Sequence, residues 1–178
     1  MTTVEVSRTT WLDAGQDLLR EGGFSAVKLA PLTKRLYRTT GSFYHHFEGM
    51  DEYREELAAY FGDAQPRAVL EQLAPMSPRD RLRGLQEVFV DQRMGLLHAA
   101  MRDWGACNET AARAVLAADH VLLEFIADVF SDLGFDDHDA HVRAEIIFAM
   151  GVARVDPPWE RATHGVDELF EVLATVQG

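Results

Sequence analysis

The chain has 178 residues, 47% apolar and 26% charged, which suits a soluble globular protein of one large domain or a small and a medium one. Its formal charge of −12 argues against indiscriminate nucleic-acid binding, and its longest nearly uninterrupted apolar run, residues 146–153, is far too short to span a bilayer. A single cysteine, Cys107, excludes an intrachain disulfide; with no basic-then-apolar leader in MTTVEVSRTT, a cytoplasmic protein is expected.

The charge is unevenly spread. Residues 1–50 hold six Lys/Arg against five Asp/Glu, whereas residues 51–178 hold eleven against twenty-four. Five of the N-terminal cations fall between Arg20 and Arg38 with one acid, Glu21, among them. The first part is locally basic, and the acidity belongs to the second.

Helix signals recur along the chain and strand signals barely occur. Trp11, Leu12, Gly15, Leu18 and Leu19 repeat at helical spacing, and Gly22-Gly23 ends that helix with Phe24 placed to pack back on its last turn. Leu32 and Leu36 lie one turn apart on a short second helix. Thr39 is the expected N-cap of a third, in which Phe43, Tyr44 and Phe47 share a face. Asp51-Glu52 opens a fourth at the positive end of its dipole, and Pro66 breaks or restarts it. After the loop PMSP, residues 75–78, a helix over 79–98 aligns Leu82, Leu85, Phe89 and Gln92, and residues 96–106 either continue it after a bend at Gly95 or form an element of their own.

Asn108 then caps a long helix whose Ala111, Val115, Ala118, Leu122, Phe125 and Val129 alternate in steps of four and three, until Gly134 stops it. The next helix starts near Asp137 and carries the small-residue stripe Ala140, Ala144, Ile147 and Gly151; its second half is apolar all round, which calls for burial by a partner subunit. Pro157-Pro158 ends it, and Val166, Leu169, Phe170 and Leu173 mark a last helix.

FSAVKLAPLTKRLYRTTGSFYHHFEGMDEY, residues 24–53, resembles the N-terminal signature of the tetracycline-repressor (TetR) family of transcriptional regulators. The glycine exit from helix one, Leu32 and Leu36 in helix two, and GSFYHHF in helix three fall at the family's spacing without a gap. The motif match spans about residues 10–60, and beyond it the likeness is one of helical character and length.

The resemblance implies an all-α protein. Residues 1–50 would form a three-helix helix-turn-helix DNA-binding domain, and residues 51–178 a helical bundle for effector binding and dimerisation. The function implied is a ligand-responsive repressor binding a near-palindromic operator as a homodimer. Its partners would be double-stranded DNA and a small apolar effector, with no cofactor, enzymatic activity or membrane.

The residue chemistry agrees. A helix-turn-helix leads into the major groove with the N-terminal residues of its second helix. Here those are Thr39, Thr40, Gly41 and Ser42, short side chains that can donate to or accept from bases and phosphates. Gly41 permits close backbone approach, and Lys28, ahead of helix two, can reach a phosphate or a base edge. Tyr44 and His45 resemble the family's backbone-contacting pair, although a half-buried core aromatic is the plainer reading of Tyr44. Phe43 and Phe47 read as core.

Three positions depart from the family pattern. Tyr37 stands in place of the turn glycine, which at φ > 0 costs on the order of 1 kcal/mol. Met50 and Thr40 stand where basic residues are common, and two lost phosphate contacts would flatten the salt dependence of binding by about 1.8 in log–log slope. Arg35 and Arg38 are the available compensation. The alternative reading is a module of the same fold that binds a ligand or protein and has weakened or lost DNA binding.

In the second part Phe89, Met94, Met101, Trp104, Phe125 and Phe148 are candidates to line an apolar effector site, against the ordinary alternative of core. His138, His141 and Glu145 lie on one helical face at metal-ligand spacing. The acids around them, Asp136, Asp137 and Asp139, suit a helix start, and no cysteine or fourth ligand completes a set, so no metal is expected.

Overall fold

A computed structural model describes residues 6–153 and 172–175. Its helices are α1 (Arg8–Gly22), α2 (Leu29–Leu36), α3 (Thr40–Tyr44), α4 (Met50–Ala59), α5 (Gln65–Leu73), α6 (Pro78–Asp91), α7 (Met94–Gly105), α8 (Glu109–Asp132) and α9 (Asp137–Ala153). Among the described residues there is no strand, so the architecture is all-α. The expected break at Pro157-Pro158 and most of the expected last helix lie outside the described residues. The chain divides into two compact units, residues 1–65 with 96–117, and residues 66–95 with 118–178.

Helix ends in the first unit follow local chemistry. The Ser7 hydroxyl accepts from the Thr10 N–H at 3.1 Å and caps α1. Gly23, at φ 65°, closes it by donating to the Leu19 carbonyl at 2.9 Å. The core that follows is aromatic: Trp11, Phe43 and Tyr53 are fully buried and Phe47 nearly so. Phe43 meets Trp11 edge-on with centroids 5.5 Å apart, and Phe47 meets Tyr53 edge-on at 5.0 Å. The Tyr53 hydroxyl donates to the Trp11 carbonyl at 2.7 Å, tying α4 to α1. Gly15 makes that approach possible, because a Cβ there would stand 2.1 Å from the Tyr53 oxygen. Phe24 does more than finish α1: its ring stacks on Trp104 of α7 at 4.5 Å, with the Arg54 guanidinium over it at 5.3 Å.

Pro66 has a subtler effect than a break. The helical path continues through a wide π turn over Tyr60–Ala64, with the Gln65 N–H reaching back to the Tyr60 carbonyl. A proline ring would collide with the carbonyl four residues earlier, and the wider turn moves that carbonyl away. Gly62, within the turn, lies against α8: an added Cβ would be 3.0 Å from the Ala114 Cα. His98 of α7 is also buried here, edge-on to Phe61 at 5.0 Å. Burial pushes its imidazole down to about 4, with the Arg102 charge adding to the effect.

The second unit packs α6, the latter part of α8 and α9 around Leu82, Ile126, Val129, Phe130, Phe135, Ala140 and Ala144. Asn108 and Asp136 cap α8 and α9, accepting from the N–H groups of Ala111 and Asp139, each at 2.9 Å. The stripe expected on α9 is borne out at Ala140 and Ala144, both fully buried. Of the two readings of residues 96–106, a separate element holds, and the interruption falls ahead of Gly95. α6 ends at Asp91 and α7 starts at Met94, with Arg93 between them at φ 51°. The left-handed residue turns the chain, and Gly95 is left inside the first turn of α7.

Candidate nucleic-acid interface

α2, a turn and α3 form the helix-turn-helix. α2 ends in a Schellman motif: the Arg38 N–H donates to the Thr33 carbonyl at 2.9 Å and the Tyr37 N–H to the Lys34 carbonyl at 3.3 Å. The motif requires a left-handed residue, and Tyr37 takes it at φ 53°, ψ 46°. Gly134 closes α8 with the same pair of bonds, Phe135 to Phe130 at 3.2 Å and Gly134 to Ser131 at 2.9 Å. The turn therefore forms without glycine, at a cost on the order of 1 kcal/mol.

Thr39 is extended and its hydroxyl accepts from the Ser42 N–H at 3.2 Å, capping α3 as expected. α3 is short, and its buried face is Phe43, joined by Phe47 just beyond the helix. Tyr44 does not share that face. Lying about 100° round the helix from Phe43, it is 56% exposed, resting edge-on against the Phe43 ring at 5.5 Å. The plainer reading of Tyr44 as core is thereby set aside.

Lys28, Thr39, Thr40, Gly41 and His45 are exposed as well, and Ser42 is half-buried. Lys28 holds the N-cap position of α2 with its side chain uninvolved in capping. His45 and His46 lie in the turn after α3, rings edge-on at 5.2 Å. An added Cβ at Gly41 would meet only the Thr39 hydroxyl, at 3.7 Å, so nothing within the domain demands a glycine there.

The cations are less available than their number implies. Arg35 bridges α2 to Asp17, at 3.4 Å, and to Glu21 on α1. These carboxylates, Glu21 foremost, raise its pKa further. Arg8 stacks over Phe47 at 4.6 Å and pairs with Glu52, at 2.6 Å, and with Glu56. Glu52 also accepts the Glu48 N–H ahead of α4, and that bond, then Arg8, holds its carboxyl below the usual range. Arg35, expected as compensation for the basic residues absent at Thr40 and Met50, instead ties α2 to α1.

The candidate effector residues divide between the units. Met101 and Trp104 are buried in the first. Phe89, Met94, Phe125 and Phe148 belong to the second, where Phe125 and Phe148 pack on its core. On α9, His141 faces the Asp137 carbonyl through Nδ1 at 2.7 Å, and its Nε2 stands 3.9 Å from Glu124. Among the described residues no three metal-capable side chains converge.

No family model and no curated protein matches the chain. Solved structures do. A TetR transcriptional regulator from Legionella pneumophila superposes with a TM-score of 0.68 at 13% identity, over 98% of this chain and 95% of that one. A transcriptional regulator from Rhodococcus sp. Rha1 gives 0.65 at 19% identity, over 94% of this chain and 92% of that one. E. coli NemR in its reduced form gives 0.66 at 18% identity, over 94% of both chains. The fold is that of a TetR-type transcriptional regulator, along nearly the whole chain and beyond the N-terminal motif that first suggested it.

Proposed function

We propose that the chain is a DNA-binding transcriptional regulator, acting as a homodimer and a ligand-responsive repressor of a near-palindromic operator in the cytoplasm. Residues 1–50 read double-stranded DNA, through Lys28, Thr39, Thr40, Gly41, Ser42, Tyr44 and His45. Residues 51–178 supply the effector site and the dimer contact. The observation that carries this reading is the solvent-facing start of α3, polar and short-chained, mounted on the buried Phe43 and Phe47. A helix so presented offers its free N–H groups and hydroxyls to a groove.

The dimer contact is assigned to α8 and α9, where Val142 and Ile146 lie one turn apart on α9, each 41% exposed. The effector is a small apolar molecule. Its candidate contacts are Phe89, Met94, Met101, Trp104, Phe125 and Phe148. The Trp104 indole N–H, buried without an acceptor among the described residues, would give such a molecule one directional bond. Binding that favours one dimer conformation would shift the spacing of the two reading heads away from the operator's half-sites.

The test is selection of the purified protein against a random duplex pool at low salt, followed by sequencing. An enriched near-palindrome is expected. Folded dimer that enriches nothing would favour the second reading, a ligand- or protein-binding module that no longer reads DNA. The engagement of Arg8 and Arg35 by carboxylates supports that alternative.

A further inference from the structure

Tyr37 is the most exposed aromatic side chain of the reading head and the one its own domain explains least. It is 90% exposed. The Schellman closure of α2 needs its backbone in the left-handed region, where glycine or asparagine fits best, and the bonds that make the motif come from the main chain. The ring stacks on no other aromatic among the described residues. A tyrosine here is thus strained without a packing gain inside the fold. Such an outlier at a recognition element points outward.

Its position says to what. The Schellman bonds fix the direction of the Cα–Cβ bond, so the side chain leaves a rigid corner. Thr39, which starts the helix that enters the groove, is two residues on, within about 7 Å of chain. The groove floor is served by α3 itself, through Thr40, Gly41 and Ser42. What flanks a groove is sugar and phosphate, and a tyrosine offers an O–H donor with a flat apolar ring for those two surfaces.

We propose that Tyr37 is a DNA-backbone contact: its hydroxyl donates to a phosphate oxygen beside the groove occupied by α3, and its ring covers the adjoining deoxyribose. This rests on the DNA-binding function proposed above. The contact is neutral and releases no counterion. It strengthens binding to all sequences alike and leaves the salt slope unchanged. It also reverses the meaning of the missing turn glycine, from a defect of the reading head to one of its contacts.

The experiment compares wild type with Tyr37→Gly and Tyr37→Asn on the duplex enriched by wild-type protein, and on a scrambled duplex, across a salt series. Both replacements suit the left-handed turn, so both proteins should melt no lower than wild type. Both should bind each duplex about tenfold more weakly, the size of one hydrogen bond to a charged oxygen, with parallel log–log salt lines. Unchanged affinity in either variant, or a loss confined to the enriched duplex, overturns the contact while the DNA-binding function stands. If wild-type protein enriches no duplex, the function fails and the contact with it.

Discussion

Gly41 is exposed in the first turn of α3, at an ordinary helical conformation where an added Cβ would make only an ordinary contact with the Thr39 hydroxyl, at 3.7 Å. A helical glycine lowers stability by roughly 0.5–1 kcal/mol relative to alanine, so Gly41→Ala should raise the melting temperature of the free protein. The same methyl would stand between the backbone and a base pair, and affinity for the enriched duplex should fall at least tenfold. A variant that is more stable and binds DNA as before would mean that Gly41 does not approach the groove. His98 gives a residue-scale prediction of the opposite kind, internal to the fold. Its folded pKa, about 4, lies below the 6.5 of the unfolded chain. Below pH 6.5 the unfolded state takes up a proton that the folded state refuses, so stability is full above that pH and falls as pH falls toward 4. At pH 5 the loss is about 2 kcal/mol. Urea unfolding at pH 7.5 and pH 5 should show it, and His98→Leu should remove that part of the difference; an equal difference in the variant would place the titrating group elsewhere.

At this scale, caps and turns were legible because they are local. Thr39, Asn108 and Gly134 each act within four residues of themselves. The side-chain partners of Arg35 were not legible. Asp17 and Glu21 lie 18 and 14 residues before it on another helix, and only the crossing of α1 with α2 brings them into reach. Tyr44 was misplaced for a related reason. α3 ends at Tyr44, and on so short a helix Phe43 and Phe47, four residues apart, suffice to fill the buried side.

Between elements, close approach depends on absent side chains. α1 and α4 meet at Gly15, where the Tyr53 hydroxyl occupies the place of a Cβ and Leu57 methyls stand 3.1 Å away. Gly15→Ala should destabilise the protein by roughly 1–3 kcal/mol, measured by denaturant unfolding. Tyr53→Phe removes the clashing oxygen along with its bond to Trp11. The double variant should therefore lose less than the two single losses added together. Strict additivity would show that the overlap is not the cause. The helical repeat of Gly15 with its apolar neighbours was readable, but the residue that needs the gap was not, because it is 38 positions away. The π turn before Pro66 and the left-handed Arg93 between α6 and α7 are interruptions whose form the sequence rules leave open.

For the whole molecule the proposed dimer makes the sharpest demand. Replacing Val142 and Ile146 together by glutamate puts charges on an exposed apolar face of α9. Sedimentation should then show a monomer, still helical, that has lost operator binding while α3 is untouched. A dimer that survives the change would move the contact off this face.

The repeat spacing of apolar residues along the chain determines that this protein is built of helices, since a period near 3.6 is a property of the sequence itself. The string from Phe24 to Tyr53 determines the helix-turn-helix for the same reason, because its caps, turn and buried aromatics all act over a few residues. Tertiary structure decided which charges remain outward and which aromatic of α3 is presented. It also decided that Trp104 lies against Phe24 and that the sequence-distant segments 1–65 and 96–117 form one compact unit. Those outcomes depend on contacts between residues far apart in the chain, and no local pattern encodes which helix will lie against which.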